Sequence, residues 1–195
     1  MPDRHVKMLL CLLAITKIDE ITTPNKDSPG ISKTVYTHIS NLHNLLTNWE
    51  KIKENGSKIC KSISALKLYE CTDEYFPHQV GPLISSLSEA YDGLQNIVQG
   101  VHLIRKQLHA LSVLETSGHG VIFTWSAGQI AEAVSEIYNV LLKEIKLKQV
   151  ITENLAHCRD ENLIELYVSA WELEAYYNSE MSAFLFADIG LPWLA

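Results

Sequence analysis

The feature that most restricts how this chain can fold is a run of apolar residues spaced alternately three and four positions apart from residue 84 to residue 101, continued by Leu108 with Arg105 between. A repeat that averages 3.5 residues keeps these side chains on one stripe of an α-helix, in the geometry of a coiled-coil seam. Gly81 and Pro82 can supply its N-cap and first residue, so the pattern predicts a helix to about Glu115, about 34 residues and ~50 Å long. The stripe consists of Ile84, Leu87, Tyr91, Leu94, Val98, Val101 and Leu108.

A first long helix is predicted ahead of it, because apolar positions in residues 35–52 also step by four and three. The pattern resumes in residues 59–66, but Asn55 and Gly56 stand between the two runs. Since glycine is unfavourable inside a helix, the sequence predicts a break or kink at Gly56 rather than one rod.

A third helix is predicted to begin at Ser126, because Ser126 and Gln129 have the spacing of a capping box. Its middle is rich in charged residues, and such a run is typical of a solvated face. The charged positions are Lys143, Glu144, Lys146 and Lys148.

Asp160 can cap a fourth helix that follows a tight turn. An acidic face is predicted at Glu161, Glu165 and Glu172. The opposite, apolar side is predicted to comprise Leu163, Leu166, Tyr167, Ala170, Trp171 and Tyr177. Residues 184–194 are too apolar for a solvated tail, so we expect them to pack against the rest of the chain or a partner, with packing within the chain favoured.

These patterns together predict an all-α fold, an elongated antiparallel helical bundle with coiled-coil segments. Only 9 glycines and 6 prolines occur in 195 residues, and 47% of the residues are hydrophobic, so long helices and a real core are favoured. We assign residues 1–30 to an apolar N-terminal segment and flexible linker, residues 31–180 to the helical domain, and residues 181–195 to an apolar C-terminal tail.

The N-terminal segment leaves two interpretations open. Arg4 and Lys7 precede an apolar run over residues 8–15, which is how a signal peptide begins, although a short helix packing on the body fits as well. In the linker, Thr23 and Ser28 each precede a proline and are candidate phosphorylation sites.

The net charge of −7 lies entirely at the C-terminal end of the chain. Residues 160–195 contain seven Asp or Glu and no Lys or Arg, whereas residues 1–159 are balanced at 16 acidic and 16 basic residues. This distribution gives no basic footprint for nucleic acid, so direct nucleic-acid binding is not expected.

Residues with catalytic or metal-binding spacing are missing from the sequence. The four cysteines form no CxxC pair, which favours reduced thiols in a nucleocytoplasmic protein, and there is no HExxH, GxSxG, Walker or GxGxxG motif. His102 and His109 lie two helical turns apart, wider than the i, i+4 pairing of metal ligands. We therefore predict no enzyme, no cofactor, and no catalytic or metal-ligating residues.

Several short strings resemble the cyclin-dependent kinase 2-interacting protein family in both order and spacing. The resemblance covers about residues 31–177 and is strongest over residues 124–171. The strings are HNLLTNWE at residues 43–50, TW at 124–125, IY at 137–138, LKE at 142–144, LK at 147–148, LAH at 155–157 and YVSAW at 167–171.

This resemblance implies a small nuclear adaptor protein without enzymatic activity. It implies association with replication kinases of the cyclin-dependent and Cdc7 types, and a part in DNA replication and the ATR checkpoint of the DNA damage response. It also implies membership of a complex built on AAA+ ATPases that acts on chromatin and on large ribosomal subunit precursors.

The leading hypothesis is thus a nuclear scaffold subunit that offers helix faces to larger protein partners without spanning or binding a membrane. The alternatives are a secreted four-helix-bundle ligand, for which residues 8–15 would be a signal peptide, and an enzyme built at the bundle core. Candidate partner-binding residues are Trp49, Trp125, Trp171, Lys143, Lys146, Lys148, Glu161, Glu165 and Glu172, with each tryptophan favoured as a core anchor over a contact.

Overall fold

The computed structural model describes residues 29–70, 78–115, 120–122 and 124–192. These residues form five α-helices and contain no β-strand, only an isolated bridge between Ile122 and Trp125. The helices are α1 (Pro29–Ala65), α2 (Val80–Leu114), α3 (Ala127–Asn154), α4 (Glu161–Leu173) and α5 (Glu180–Asp188), with a π-helical turn at Leu66–Glu70 after α1. The predicted all-α class is confirmed.

The second helix lies between α1 and α3 and packs extensively on both. Gly93 of α2 faces Ile52 of α1, and Gly100 faces Leu45, so α1 and α2 run antiparallel. On its other side α2 packs on α3, where the ring centres of His102 and Tyr138 lie 5.0 Å apart.

The predicted α2 seam is largely buried, but it accounts for only part of the buried surface. Ile84 and Tyr91 are only half-buried. A second row spaced by seven, Ala90, Ile97 and Ile104, is buried beside the seam. Two neighbouring helices require a wider apolar face than the single stripe of a two-stranded coiled coil.

Local capping signals position the helix starts close to the predictions. Ser126 and Gln129 form both hydrogen bonds of the capping box, at 2.9 and 3.2 Å, and Asp160 accepts a hydrogen bond from the Leu163 N–H at 3.2 Å. The second helix begins at Val80, which places Pro82 in the first turn, where its missing N–H removes no helical hydrogen bond.

Of the predicted break or kink at Gly56, the break is wrong, because α1 continues through the glycine without interruption. A Cβ atom at Gly56 would lie 2.4 Å from the Trp171 ring, so the glycine forms a notch in which the indole packs. The Trp171 Nε1–H donates to the Lys53 carbonyl at 3.1 Å and fixes the ring there. Glycine at this position therefore serves close packing between α1 and α4.

The apolar side of α4 also differs from the prediction. Ile164 and Trp171 face the core, whereas Leu163 and Leu166 are 36% and 60% exposed. The other predicted residues, Tyr167, Ala170, Trp171 and Tyr177, are buried or pack against the core. The two leucines were assigned to the wrong side because apolar residues extend from the buried side of this helix onto its outward side, and periodicity alone does not distinguish the two.

The described part of the C-terminal tail packs against the body through α5. Leu185 and Phe186 are buried, and the Phe186 ring lies edge-on to His43 of α1 at 4.9 Å. His43 Nε2 lies 2.8 Å from the Pro192 carbonyl oxygen, which accepts its hydrogen bond.

Several predicted features lie outside the described residues: the apolar run at residues 8–15, the candidate phosphorylation sites Thr23 and Ser28, and Cys11 and Cys71. Cys60 and Cys158 are free cysteines, and burial raises the pKa of the Cys60 thiol to about 12. None of the helices in the described part of the chain is long and apolar enough to cross a membrane.

We predict that Gly56→Ala destabilises the protein although alanine is the better helix former. Overpacking against a fixed indole costs about 1–3 kcal/mol, which outweighs a helix-propensity gain of about 1 kcal/mol. Urea denaturation measures the free energy of unfolding. Gly81→Ala is the matched control, since a Cβ there meets nothing within 4 Å. If Gly56→Ala is as stable as wild type or more stable, Trp171 does not require a glycine at this position.

Candidate partner-binding surface

The structure separates the predicted partner-binding residues into a buried group and an exposed group. Trp49, Trp171 and Lys148 are fully buried, and Trp125 is half-buried. The residues that remain exposed are Lys143, Lys146, Glu161, Glu165 and Glu172.

The expectation that Lys148 lies on a solvated face was wrong. Lys148 and Glu144, one helical turn apart on α3, form an ion pair of 2.9 Å with both side chains 0% exposed. Lys148 Nζ also donates to the backbone carbonyl of Trp171 at 2.5 Å. Because the last carbonyls of a helix lack intrahelical partners, this ammonium satisfies the C-terminal end of α4.

Glu144 extends the same contact to the turn after α4. Its second carboxylate oxygen accepts a hydrogen bond from the Tyr176 backbone N–H at 2.9 Å. The ammonium thus holds the end of α4, and the carboxylate holds the turn that follows it. The Lys148 ammonium also lies 5.2 Å from the centre of the Trp171 ring. Sequence reasoning missed this site because i, i+4 charges are equally typical of an exposed helix face.

A second polar cluster joins the end of α4 to α1. Glu174 accepts hydrogen bonds from the Trp49 indole N–H at 2.6 Å and from the Lys53 ammonium at 3.0 Å, and Lys53 also pairs with Glu50. Glu174 adopts a positive φ of 51°, which ends the helix. Lys53 and Glu174 are 121 positions apart, so no local pattern could have predicted this contact.

Burial affects the ionisation of this cluster. It raises the pKa of the Glu174 carboxyl, despite the opposing hydrogen bond from Trp49 and the charge of Lys53. Burial lowers the pKa of Lys53, but its hydrogen bond to Glu50 and the charge of Glu174 outweigh that effect, so the pKa is raised overall.

The cleft beside this cluster is polar and open to solvent. Its charged groups already contact one another, which gives them a structural role in holding the end of α4. Among residues 29–70, 78–115, 120–122 and 124–192, no group of three His, Cys, Asp or Glu could hold a metal ion. The cleft is lined by Glu50, Lys53, Leu173, Glu174, Tyr177, Asn178 and Ser179.

Trp125 ties the start of α3 to α5. Its indole N–H donates to the Asp188 carboxylate at 2.5 Å, and its backbone forms the bridge with Ile122. All three predicted tryptophans make contacts within the chain, but only Trp49 and Trp171 are fully buried in the core, whereas Trp125 is half-buried.

The surface that remains for a partner includes the outward side of α4, which we call the α4 outer surface. One edge carries Glu161, Glu165 and Glu172 at i, i+4 and i+11, and the other carries Leu163, Leu166 and Leu173 at i, i+3 and i+10. Glu172 also pairs with Lys61 of α1 at 2.6 Å, whereas Lys143 and Lys146 lie on the exposed side of α3.

The chain is similar to curated proteins named Cyclin-dependent kinase 2-interacting protein, which confirms the resemblance inferred from the sequence. The Bos taurus protein is 22% identical over 80% of this chain and 87% of its own length. The Xenopus laevis protein is 24% identical over 84% and 90%, and the Mus musculus protein 25% identical over 82% and 88%. No protein-family model matches the chain.

We predict that Lys148→Met destabilises the protein by about 3–5 kcal/mol, because it leaves the Glu144 carboxylate buried without its cation. The double variant Glu144→Gln/Lys148→Met should recover part of that loss, since the unpaired charge is removed. Chemical denaturation of wild type, Lys148→Met, Glu144→Gln and the double variant measures the coupling free energy between the two side chains.

Lys58→Met is the matched control for an exposed ion pair. The Lys58–Glu54 pair has the same i, i+4 spacing, but its side chains are 71% and 69% exposed. Its loss should change stability little. A Lys148→Met variant as stable as this control would show that the buried pair does not hold α4.

We predict that Glu174 makes the protein less stable as pH rises. The pKa of its carboxyl is raised in the folded state. Its contribution to the free energy of unfolding is therefore fully present below the unfolded pKa of 4.5 and is lost as pH rises through the folded pKa. The difference in unfolding free energy between wild type and Glu174→Gln should therefore shift against the wild type across that window.

Glu54→Gln provides a comparison of opposite sign. The hydrogen bond and charge of Lys58 lower the pKa of Glu54, so its contribution is lost as pH falls. Urea titrations from about pH 2 to pH 8 measure both differences, since the Glu54 contribution is lost only below its unfolded value of 4.5. The assignment fails if Glu174→Gln and wild type show parallel pH profiles.

Proposed function

We propose that this chain is a non-enzymatic adaptor subunit of the cyclin-dependent kinase 2-interacting type, which binds protein partners that include a kinase. The similarity to the relatives supports this proposal because it extends over 80–84% of this chain and 87–90% of their lengths. The name of these relatives states that they interact with cyclin-dependent kinase 2.

The observation that carries the proposal is the use of buried polar groups to hold a short helix in place. Glu144 and Lys148 satisfy the end of α4, and Glu174 joins that end to α1. These polar groups therefore serve to hold the helices together. What α4 offers to the outside is an arrangement of exposed leucines and glutamates, which suits recognition of another protein.

The finer parts of the proposal follow from the family resemblance. The adaptor acts in the nucleus in DNA replication and checkpoint signalling, binds kinases of the cyclin-dependent and Cdc7 types, and joins an AAA+ ATPase complex acting on chromatin and large ribosomal subunit precursors. The acidic C-terminal region supports protein partners over nucleic acid, since residues 160–195 carry no Lys or Arg.

We expect the purified chain to bind purified cyclin-dependent kinase 2, and charge reversal on an exposed face to weaken that binding. Lys143→Glu/Lys146→Glu tests the α3 face, and Glu161→Lys/Glu165→Lys tests the acidic edge of α4. A variant whose altered face contacts the kinase should bind it about tenfold more weakly or worse than wild type, as measured by biolayer interferometry.

Lys106→Glu on α2 is the control, because Lys106 is exposed on a different helix. Locating the tagged full chain in cells tests the nuclear assignment, and affinity purification tests for the ATPase subunits. Failure of wild type to bind the kinase would refute the kinase role, and recovery of the chain from culture medium would refute the nuclear adaptor.

A further inference from the structure

The exposed hydrophobic side chains of this protein concentrate where its charge is entirely negative. Among the described residues, six of the eleven large hydrophobic side chains that remain exposed follow residue 160. Residues 160–195 also hold seven acids and no Lys or Arg. Exposed apolar area beside charge of one sign is typical of a surface that binds another protein.

The leucine edge of the α4 outer surface forms a regular stripe along one helix. Leu166 and Leu173 are 60% and 78% exposed, and Leu163 extends the same stripe toward the start of the helix. Ten residues at 1.5 Å each give the stripe a length of about 15 Å, which corresponds to three turns of an opposing helix. Trp171 and Lys148 hold α4 from the other side, so the stripe is presented by a fixed helix.

From this arrangement we infer that the α4 outer surface binds an amphipathic helix of a protein partner, one whose apolar stripe is bordered by Lys or Arg. The inference rests on the proposed adaptor function and specifies the chemistry of a partner. The partner's apolar stripe covers Leu163, Leu166 and Leu173, and its basic side chains reach across Asn162 and Ser169 to Glu161 and Glu165. Long Lys and Arg side chains can span that distance while their stems cover apolar surface.

Charge complementarity selects this occupant over a second copy of the chain. Two copies of α4 packed antiparallel would bring their Glu161 and Glu165 edges together, and like charges oppose that contact. Two copies packed parallel would place those carboxylates against the leucines of the other copy, where they would lose water without gaining a cation. A helix bordered by Lys or Arg instead gains attraction along the same edge, and an amphipathic helix can supply the apolar residues on one face at i, i+3 and i+7.

The test uses the full chain and a fluorescein-labelled 18-residue designed helix with leucines at i, i+3, i+4 and i+7 and lysines on both borders. Its counterpart carries glutamate in place of every lysine. Fluorescence anisotropy should show binding of the lysine peptide that weakens with added salt, and at least tenfold weaker binding of the glutamate peptide.

Leu166→Ala/Leu173→Ala should weaken binding of the lysine peptide at least tenfold, and Glu161→Gln/Glu165→Gln should weaken it and reduce its salt dependence. The matched control is Leu103→Ala/Val113→Ala on α2, where the side chains are 57% and 67% exposed. That variant should bind within twofold of wild type. Because all of these side chains are exposed, thermal denaturation should show each variant folded.

Several outcomes would overturn the inference: no binding of the lysine peptide, equal binding of both peptides, or equal losses in the α4 and α2 variants. Sedimentation showing a dimer that Leu166→Ala/Leu173→Ala dissociates would assign the surface to a second copy. If the chain binds the peptide but not the kinase, the inference about the α4 outer surface holds and the kinase role is refuted. If it binds the kinase but not the peptide, only the inference about the α4 outer surface is refuted.

Discussion

The packing of Trp171 between α1 and α3 determines where α4 lies. Its ring fills the notch at Gly56, its indole N–H donates to the Lys53 carbonyl, and its own carbonyl accepts from Lys148. One residue thereby combines a close apolar contact with two hydrogen bonds in different directions. The notch and the Lys53 carbonyl on α1 orient the ring, and Lys148 on α3 holds the Trp171 backbone.

The buried Glu144–Lys148 pair is better understood as a positioning device than as a source of stability. Taking two charges out of water is costly, and a well-packed apolar pair of similar volume is often at least as stable. What the pair supplies is direction, since its ammonium points to the end of α4 and its carboxylate to the Tyr176 N–H. Trp49, Lys53 and Glu174 add a second connection at the same end.

These contacts link the architecture to the proposed adaptor function. The long helices α1 to α3 supply most of the buried hydrophobic residues in the described part of the chain, whereas the short α4 has exposed residues on both edges of its outward side. A helix of 13 residues is marginal in isolation, so its display of leucines and glutamates depends on the tertiary contacts that hold it. The polar clusters therefore serve recognition indirectly, by giving the α4 outer surface a fixed geometry.

The sequence by itself determined the features that depend on neighbours within about four residues. The stripe of α2, the capping box at Ser126 and the cap at Asp160 follow from local periodicity and side chain to backbone hydrogen bonds, which need no other part of the chain. The acidic edge of α4 was also readable, because Glu161 and Glu165 are exposed as expected.

Only the tertiary structure decided which of two candidate faces is buried and which charges are paired. Gly56 was interpreted as a break or kink because the ring that packs in its notch belongs to Trp171, 115 positions away. Lys148 was placed in solvent because the carbonyl that accepts its hydrogen bond lies on another helix. The leucines of α4 likewise occupied the wrong side in the prediction. Burial is a property of what packs opposite a residue, and local spacing carries no information about a surface that a distant segment supplies.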